Sequence, residues 1–354
     1  MNEGYSNEFL TAKRQLADAP ADLLIQAVFA DTDTQQKTIF RDVLSQTRYN
    51  TDLRNLVAVY PQSAFISKAN ESPQWANRLL MEIGSAFFAK HAENIMTLLG
   101  LLSLPYCYTA SNGAMVLYLS DRMRNETAKR LTDTATFVWD VMAPNAFAAN
   151  GKGFASILKI RLTHAAARFY TLKSGHWQDG WGLPINQEDM AGTNLSFSLI
   201  VIRGLRKLGF AVSETEQKGF LHLWNVIGYL LGLDQDLIPE DSKQAQLLEK
   251  AISKRQFKVS PHGAELTQLL VQYITSANAS KAAAGEITGL MRYLLGKDVA
   301  DMLRVPGSEL PAYQLELLQF SNAFKSLQPV WNTKGKYNSA HLNFKRQNSF
   351  KAVP

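Results

Sequence analysis

Arg161, His164 and Arg168 stand three and four residues apart in the run Lys159-Ile160-Arg161-Leu162-Thr163-His164-Ala165-Ala166-Ala167-Arg168-Phe169. At helical periodicity they share, with Ala165, about 100° of one face. Ile157, Leu158, Ile160, Leu162 and Phe169 flank that face, so the helix is apolar around most of its circumference and belongs at the centre of a domain. Two guanidinium groups and an imidazole there need compensation, because a buried charge must be paired. One solution is internal: carboxylates from elsewhere in the chain pair with the arginines, and the histidine is hydrogen-bonded. The other is an anionic cofactor. Haem b needs one axial nitrogen, an apolar slot and cations for two propionates. His164 offers the nitrogen, Arg161 and Arg168 the cations, and Ala165-Ala166-Ala167 lets a flat ring approach closely. The following helix, with Gly192, Thr193, Leu195, Ser196 and Phe197, would form the opposite wall. These residues alone leave both solutions open.

His222, in Phe220-Leu221-His222-Leu223-Trp224, is the second candidate for an axial ligand. Its apolar helix equally suits a core histidine with a backbone partner. His176 belongs to a Gly/Trp-rich loop that would cap or line the site, whereas His91, His262 and His341 have no convergent context. Cys107 is the only cysteine, which excludes an intrachain disulfide, a multi-cysteine zinc site and covalent c-type haem. In Pro105-Tyr106-Cys107-Tyr108 it reads as a small buried residue rather than a thiolate ligand. Phosphate-loop, nucleophile-elbow, dinucleotide-binding and His-Glu-x-x-His patterns are all missing.

The elements that must position these residues are helical throughout. Apolar residues recur at spacings of three and four, and strand-like alternation is scarce. Short helices are expected at 23–29 and 40–44, then a connection over 61–73 and long helices over 75–96, 121–142, 153–172, 186–208 and 213–231. Asn186 and Ser213 are natural N-caps, and Ser213-Glu214-Thr215-Glu216 is a capping box. Further helices are expected near 241–255, 263–275, 285–304 and 311–326. The apolar stretch 95–119 is broken by Pro105, Asn112 and Gly113. It reads as a buried helix–turn–helix rather than a membrane span.

The 354 residues are 46% hydrophobic, enough for a large core. The net charge of +6 is concentrated in a tail: Lys334, Lys336, Lys345, Arg346 and Lys351 lie after residue 327 with no acid among them, leaving 32 basic against 31 acidic residues before it. A nucleic-acid binder would carry its basic face on the folded domain, so nucleic acid is not the expected partner. Residues 1–74 are read as a helical extension packed on the core, 75–327 as the functional domain and 328–354 as a basic tail. No basic and apolar leader is recognisable at Met1-Asn2-Glu3-Gly4-Tyr5, so a cytoplasmic location is expected.

One family brings the pieces together. Lys129-Arg130-Leu131-Thr132-Asp133-Thr134-Ala135-Thr136-Phe137-Val138, Arg161-Leu162-Thr163-His164-Ala165 and Pro184-Ile185-Asn186-Gln187-Glu188-Asp189 resemble the catalytic domain of the MpaB oxygenases and latex-clearing proteins. So do Thr193-Asn194-Leu195-Ser196-Phe197-Ser198, Gly204-Leu205-Arg206-Lys207-Leu208-Gly209 and Trp224-Asn225-Val226-Ile227-Gly228-Tyr229-Leu230-Leu231-Gly232, so that the resemblance covers roughly residues 75–255. It implies an all-α multi-helix bundle with a globin-like core, a non-covalent haem b and, in the rubber-cleaving branch, oxidative cleavage of a carbon–carbon double bond with O2. Arg161 matches the family's haem-pocket arginine. His164 stands where rubber oxygenases place a distal lysine, Ala165 where they place a threonine and Leu195 where they place the axial histidine; their glutamate falls near Asn145.

The expectation is therefore a haem-b-dependent oxygenase acting on an apolar or unsaturated intracellular small molecule. In it His164 is the iron ligand, Arg161 and Arg168 hold propionates or orient oxygen, and Ala165, Thr193, Leu195, Phe197 and His222 complete the pocket. The alternative is a non-catalytic binder of haem or of a hydrophobic ligand, a sensor or carrier. The oligomeric state is left open.

Overall fold

A computed structural model describes residues 4–30, 34–120, 127–276, 281–307, 310–326 and 332–349. Among these residues the chain is all-α, and the one extended pairing is an isolated bridge between Ala110 and Phe257. The helices are α1 (Asn7–Lys13), α2 (Ala19–Ala30), α3 (Thr34–Gln46), α4 (Leu53–Val59), α5 (Ala64–Ser67), α6 (Arg78–Leu98), α7 (Leu104–Thr109), α8 (Ser111–Leu119), α9 (Thr127–Met142) and α10 (Gly153–Lys173). They continue as α11 (Gln187–Phe197), α12 (Leu199–Lys207), α13 (Glu214–Leu230), α14 (Ser242–Gln256), α15 (Pro261–Ser276), α16 (Lys281–Leu295), α17 (Lys297–Met302), α18 (Ala312–Ser326) and α19 (Thr333–Ser349). The start of the helix expected from residue 121 lies outside the described residues, as does Lys351.

The core forms where α6 crosses α13. A Cβ on Gly84 would lie 2.6 Å from the Gly219 carbonyl oxygen, so the two glycines allow the backbones to touch. Phe87, Phe88, Phe220 and Trp224 fill the space around that crossing and are almost fully buried. Both helices start on side-chain caps: Asn77 accepts from the Leu80 N–H, and Ser213 with Glu216 forms the expected capping box.

Three breaks differ from the periodicity. Pro105 does not end a helix; it occupies the first turn of α7, where its missing N–H is not needed. A π-helical turn at Leu99–Ser103 joins α7 to α6. The helix expected over 186–208 divides at Ser198, whose hydroxyl donates to the Asn194 carbonyl and whose backbone leaves the helical region. Gly296, at φ +81°, separates α16 from α17. Among the described residues no helix is long and apolar enough to cross a membrane.

Candidate active site

Helix α10 carries the central charges. His164 retains some accessible surface, yet its Nδ1 is buried without a hydrogen-bond partner. Burial, helped by the Arg168 charge and opposed by Asp18, lowers the imidazole from 6.5 to about 4. The ring is therefore neutral at pH 7, the form that binds a metal.

The two arginines are compensated from the N-terminal region. Arg161 clasps Asp18 through Nε and, at 2.8 Å, through Nη2, while Nη1 reaches the Leu230 carbonyl at 3.4 Å. Its guanidinium also lies 4.7 Å from the Phe65 ring centroid. Arg168 Nε donates to Asp22 at 2.7 Å, and its Nη1 to the Ile185 carbonyl at 3.4 Å. Asp18 precedes α2 and Asp22 sits in its first turn, so α2 lies along α10 with Phe29 against Phe169. Gly232, at φ +92°, leaves room for the Asp18–Arg161 pair: a Cβ there would come within 2.7 Å of the carboxylate. The internal solution is the one built for the arginines, and Ala165, 1% exposed, offers no open surface to a ring.

A second group of polar side chains faces an internal opening. The Cys107 thiol of α7 is within hydrogen-bonding reach of Ser196 and Thr193 on α11, and burial raises it, so it remains a thiol. Asp189, on the same face of α11, is raised by burial against the pull of Arg14, which donates to it at 2.8 Å. These groups are enclosed by protein, yet Cys107 and Asp189 keep accessible surface and Thr193 is exposed. Accessible surface beside enclosed groups marks an interior opening. Helix α8 borders it, since Gly113 lies against the Asp189 carboxylate, and the same helix packs along α10.

Several expected wall residues face elsewhere. Leu195 is two residues, or about 200°, around α11 from Thr193. It points into the core at 2% exposure, so these two cannot line one cavity. Phe197 packs on Trp224 with ring centroids 5.5 Å apart. His222 is half-buried, its Nε2 accepting from the Asn77 N–H at 2.8 Å and its ring edge-on to Trp75. It lies about 12 Å along α13 from Leu230, where Arg161 reaches that helix. It is therefore fixed at the start of α6 and does not join His164. Asn145 is exposed in a left-handed turn at φ 64°. His176 is exposed in its loop.

Sequence reasoning missed three features. Asp18 and Asp22 were the partners demanded by Arg161 and Arg168; their four-residue spacing at a helix start was the available signal. Arg130 on α9 meets only the Tyr108 hydroxyl, at 3.0 Å, among the described side chains, and its Nε is buried without a partner. His91 is buried beside Phe87 and Phe210 at a kink in α6, with its Nε2 unpartnered.

Measured against haem b, His164 fits an axial ligand through its neutral ring, which keeps some accessible surface, while the groups that face the interior opening are polar. Arg161 and Arg168 fit propionates poorly, being held by Asp18 and Asp22. Among the described residues no three His, Cys, Asp or Glu side chains converge, so iron held by the protein alone has no ready cluster. The surface cleft of about 290 Å³ between α12 and α14, lined by Arg203, Lys243, Glu249 and Lys250, carries no such nitrogen.

Comparison with known proteins gives three matches. Residues 88–323 match the family described as ER-bound oxygenase mpaB/B'/Rubber oxygenase, catalytic domain. The rubber oxygenase of Streptomyces sp. (strain K30) is 26% identical over 242 residues, which are 68% of this chain and 59% of that relative's length. The structure of latex clearing protein in the closed state superposes with a TM-score of 0.74 at 23% identity, over 93% of this chain and 91% of that one. At that identity the likeness is one of fold.

Proposed function

This chain belongs to the MpaB and rubber oxygenase catalytic-domain family, and from that premise we propose that it is a haem-b-dependent oxygenase acting on a small apolar or unsaturated molecule with O2. The observation that carries the reading is His164: a neutral imidazole with a buried, unpartnered nitrogen on the central helix of the family-matched region.

When bound, haem supplies the iron redox chemistry through which O2 is activated. The chain's own residues would do the rest. His164 would hold the iron. Arg161 and Arg168, fixed by Asp18 and Asp22, would keep α10 in place, and the Arg168 charge helps to keep His164 neutral. Thr193, with the Cys107 thiol beside it, would supply polar contacts in the opening. No carboxylate occupies the Asn145 turn to take a proton from substrate, so a double-bond cleavage that needs a glutamate base is not part of this proposal.

That same point favours one alternative, a carrier or sensor of haem or of an apolar ligand. Leu195, apolar and buried, also withholds a ligand where rubber oxygenases place one. The absorption spectrum separates these readings when the protein is expressed with a haem precursor, then reduced with dithionite and exposed to CO. A Soret band lost or shifted in His164→Ala and moved by CO supports an oxygenase site with a free axial position. A Soret band unmoved by CO supports the carrier. A folded, haem-supplemented protein without a Soret band removes both haem readings.

A further inference from the structure

Most inward-reaching arginines of the fold meet a carboxylate. Arg14 meets Glu188 and Asp189, Arg161 meets Asp18, Arg168 meets Asp22 and Arg203 meets Glu249. Arg130 is the exception among the described residues. Its Nη2 donates to the Tyr108 hydroxyl at 3.0 Å, its Nε is buried with no acceptor, and burial lowers its pKa. A guanidinium carries five donors and stays charged, so one neutral hydroxyl leaves most of its demand unmet.

Its position gives the unmet charge a direction. Asp140, near the end of α9, accepts from Ser156 near the start of α10 at 2.8 Å, which ties the two helices together at that end. Arg130 lies ten residues, about 15 Å, back along α9 from that contact, against α7. Its hydrogen-bond partner Tyr108 adjoins Cys107, whose thiol is in reach of Thr193 at the interior opening. Arg130 also keeps some accessible surface of its own.

We propose that Arg130 receives a carboxylate of the ligand bound in this opening, with the Tyr108 hydroxyl holding the guanidinium in register. The carboxylate belongs either to a haem propionate or to an amphipathic acid with an alkyl chain. The choice of an apolar-ligand site rests on the function proposed above; the assignment of the carboxylate to Arg130 does not depend on which of the two supplies it. A carboxylate would supply the negative partner that the Tyr108 hydroxyl does not.

The test titrates the full-length protein, purified without haem, with four probes: ferric protoporphyrin IX, its dimethyl ester, laurate and dodecanol. Binding is followed by the Soret band for the porphyrins and by tryptophan fluorescence for the others. Wild type should bind one acid at least about tenfold more tightly than its neutral partner, and Arg130→Gln should remove that preference while Arg130→Lys keeps part of it. A preference confined to protoporphyrin identifies a propionate, and one confined to laurate identifies an acid ligand. The second result stands even where no porphyrin binds, so failure of the haem reading is distinguishable. Equal binding of acid and neutral partner in wild type, for both pairs, overturns the proposal without relying on any variant. So does a preference that Arg130→Gln leaves intact.

Discussion

Asp18 and Arg161 have side chains 2% and 20% exposed, so their ion pair is largely removed from solvent. Such a pair contributes little against an apolar replacement, but losing one partner strands the other. Asp18→Ala should therefore lower stability by about 3 kcal/mol, and adding Arg161→Leu should recover part of it. Urea unfolding of the wild type and the two variants checks this; a cost for Asp18→Ala no larger than for a surface change would refute it. The buried histidines give a pH dependence of definite sign. His164 and His91 are each lowered by burial from 6.5 to about 4. Between those values the unfolded chain binds protons that the folded chain refuses. Stability is then full above about pH 6.5 and falls towards pH 4, by roughly 2 kcal/mol per histidine from pH 7 to 5. His91→Phe, placed between Phe87 and Phe210, should remove one share of that slope. At this scale the sequence revealed a demand but not its answer. Arg161, His164 and Arg168 on one apolar face announced charge needing partners. Asp18 and Asp22 supply them from some 145 positions earlier, a pairing that no local pattern encodes.

Helix ends were legible because their chemistry is local. Ser213 caps α13 through the Glu216 N–H, and Ser213→Ala should cost about 1 kcal/mol. Helix crossings depend on what lies opposite, which periodicity cannot see. Gly84 and Gly219 looked unremarkable within their helices, yet a Cβ on Gly219 would fall 2.5 Å from Ile83 Cγ2 and one on Gly84 would strike backbone. Gly219→Val should cost more than the cap, about 3 kcal/mol, because α6 and α13 must separate. Thermal midpoints of the two variants give the comparison, and a reversed order would mean that the crossing relaxes. Ser198 is a similar case: its side chain bonds back to Asn194 where α11 divides from α12, and on α11 Thr193 is exposed while Leu195 stays in the core. The period placed both residues on a helix but did not say which one met the site.

Across the whole molecule, charge and packing of the C-terminal region point in opposite directions. The excess of lysine and arginine after residue 327 reads as a basic tail, because composition reports charge and not which face carries it. Thr333–Ser349 instead forms α19, and Tyr337, His341 and Phe344 recur on its inner face at helical spacing. Tyr337 donates to the Trp139 carbonyl at 2.7 Å, and His341 stacks on the Trp139 ring at 4.8 Å. Lys345 and Arg346 remain exposed on the outside. Trp139 lies on α9, the helix that also carries Arg130, so α19 braces the far end of the element that borders the opening. Its docking is apolar, hence insensitive to salt, whereas a charge-driven tail would be released as salt rises. Tyr337→Ala should lower stability by about 3 kcal/mol at both low and high salt. Ending the chain at residue 326 should cost more and shift tryptophan emission to the red as Trp139 meets water. If that truncation leaves emission and stability unchanged, α19 is peripheral, and α9 must be held by α6, α10 and α15.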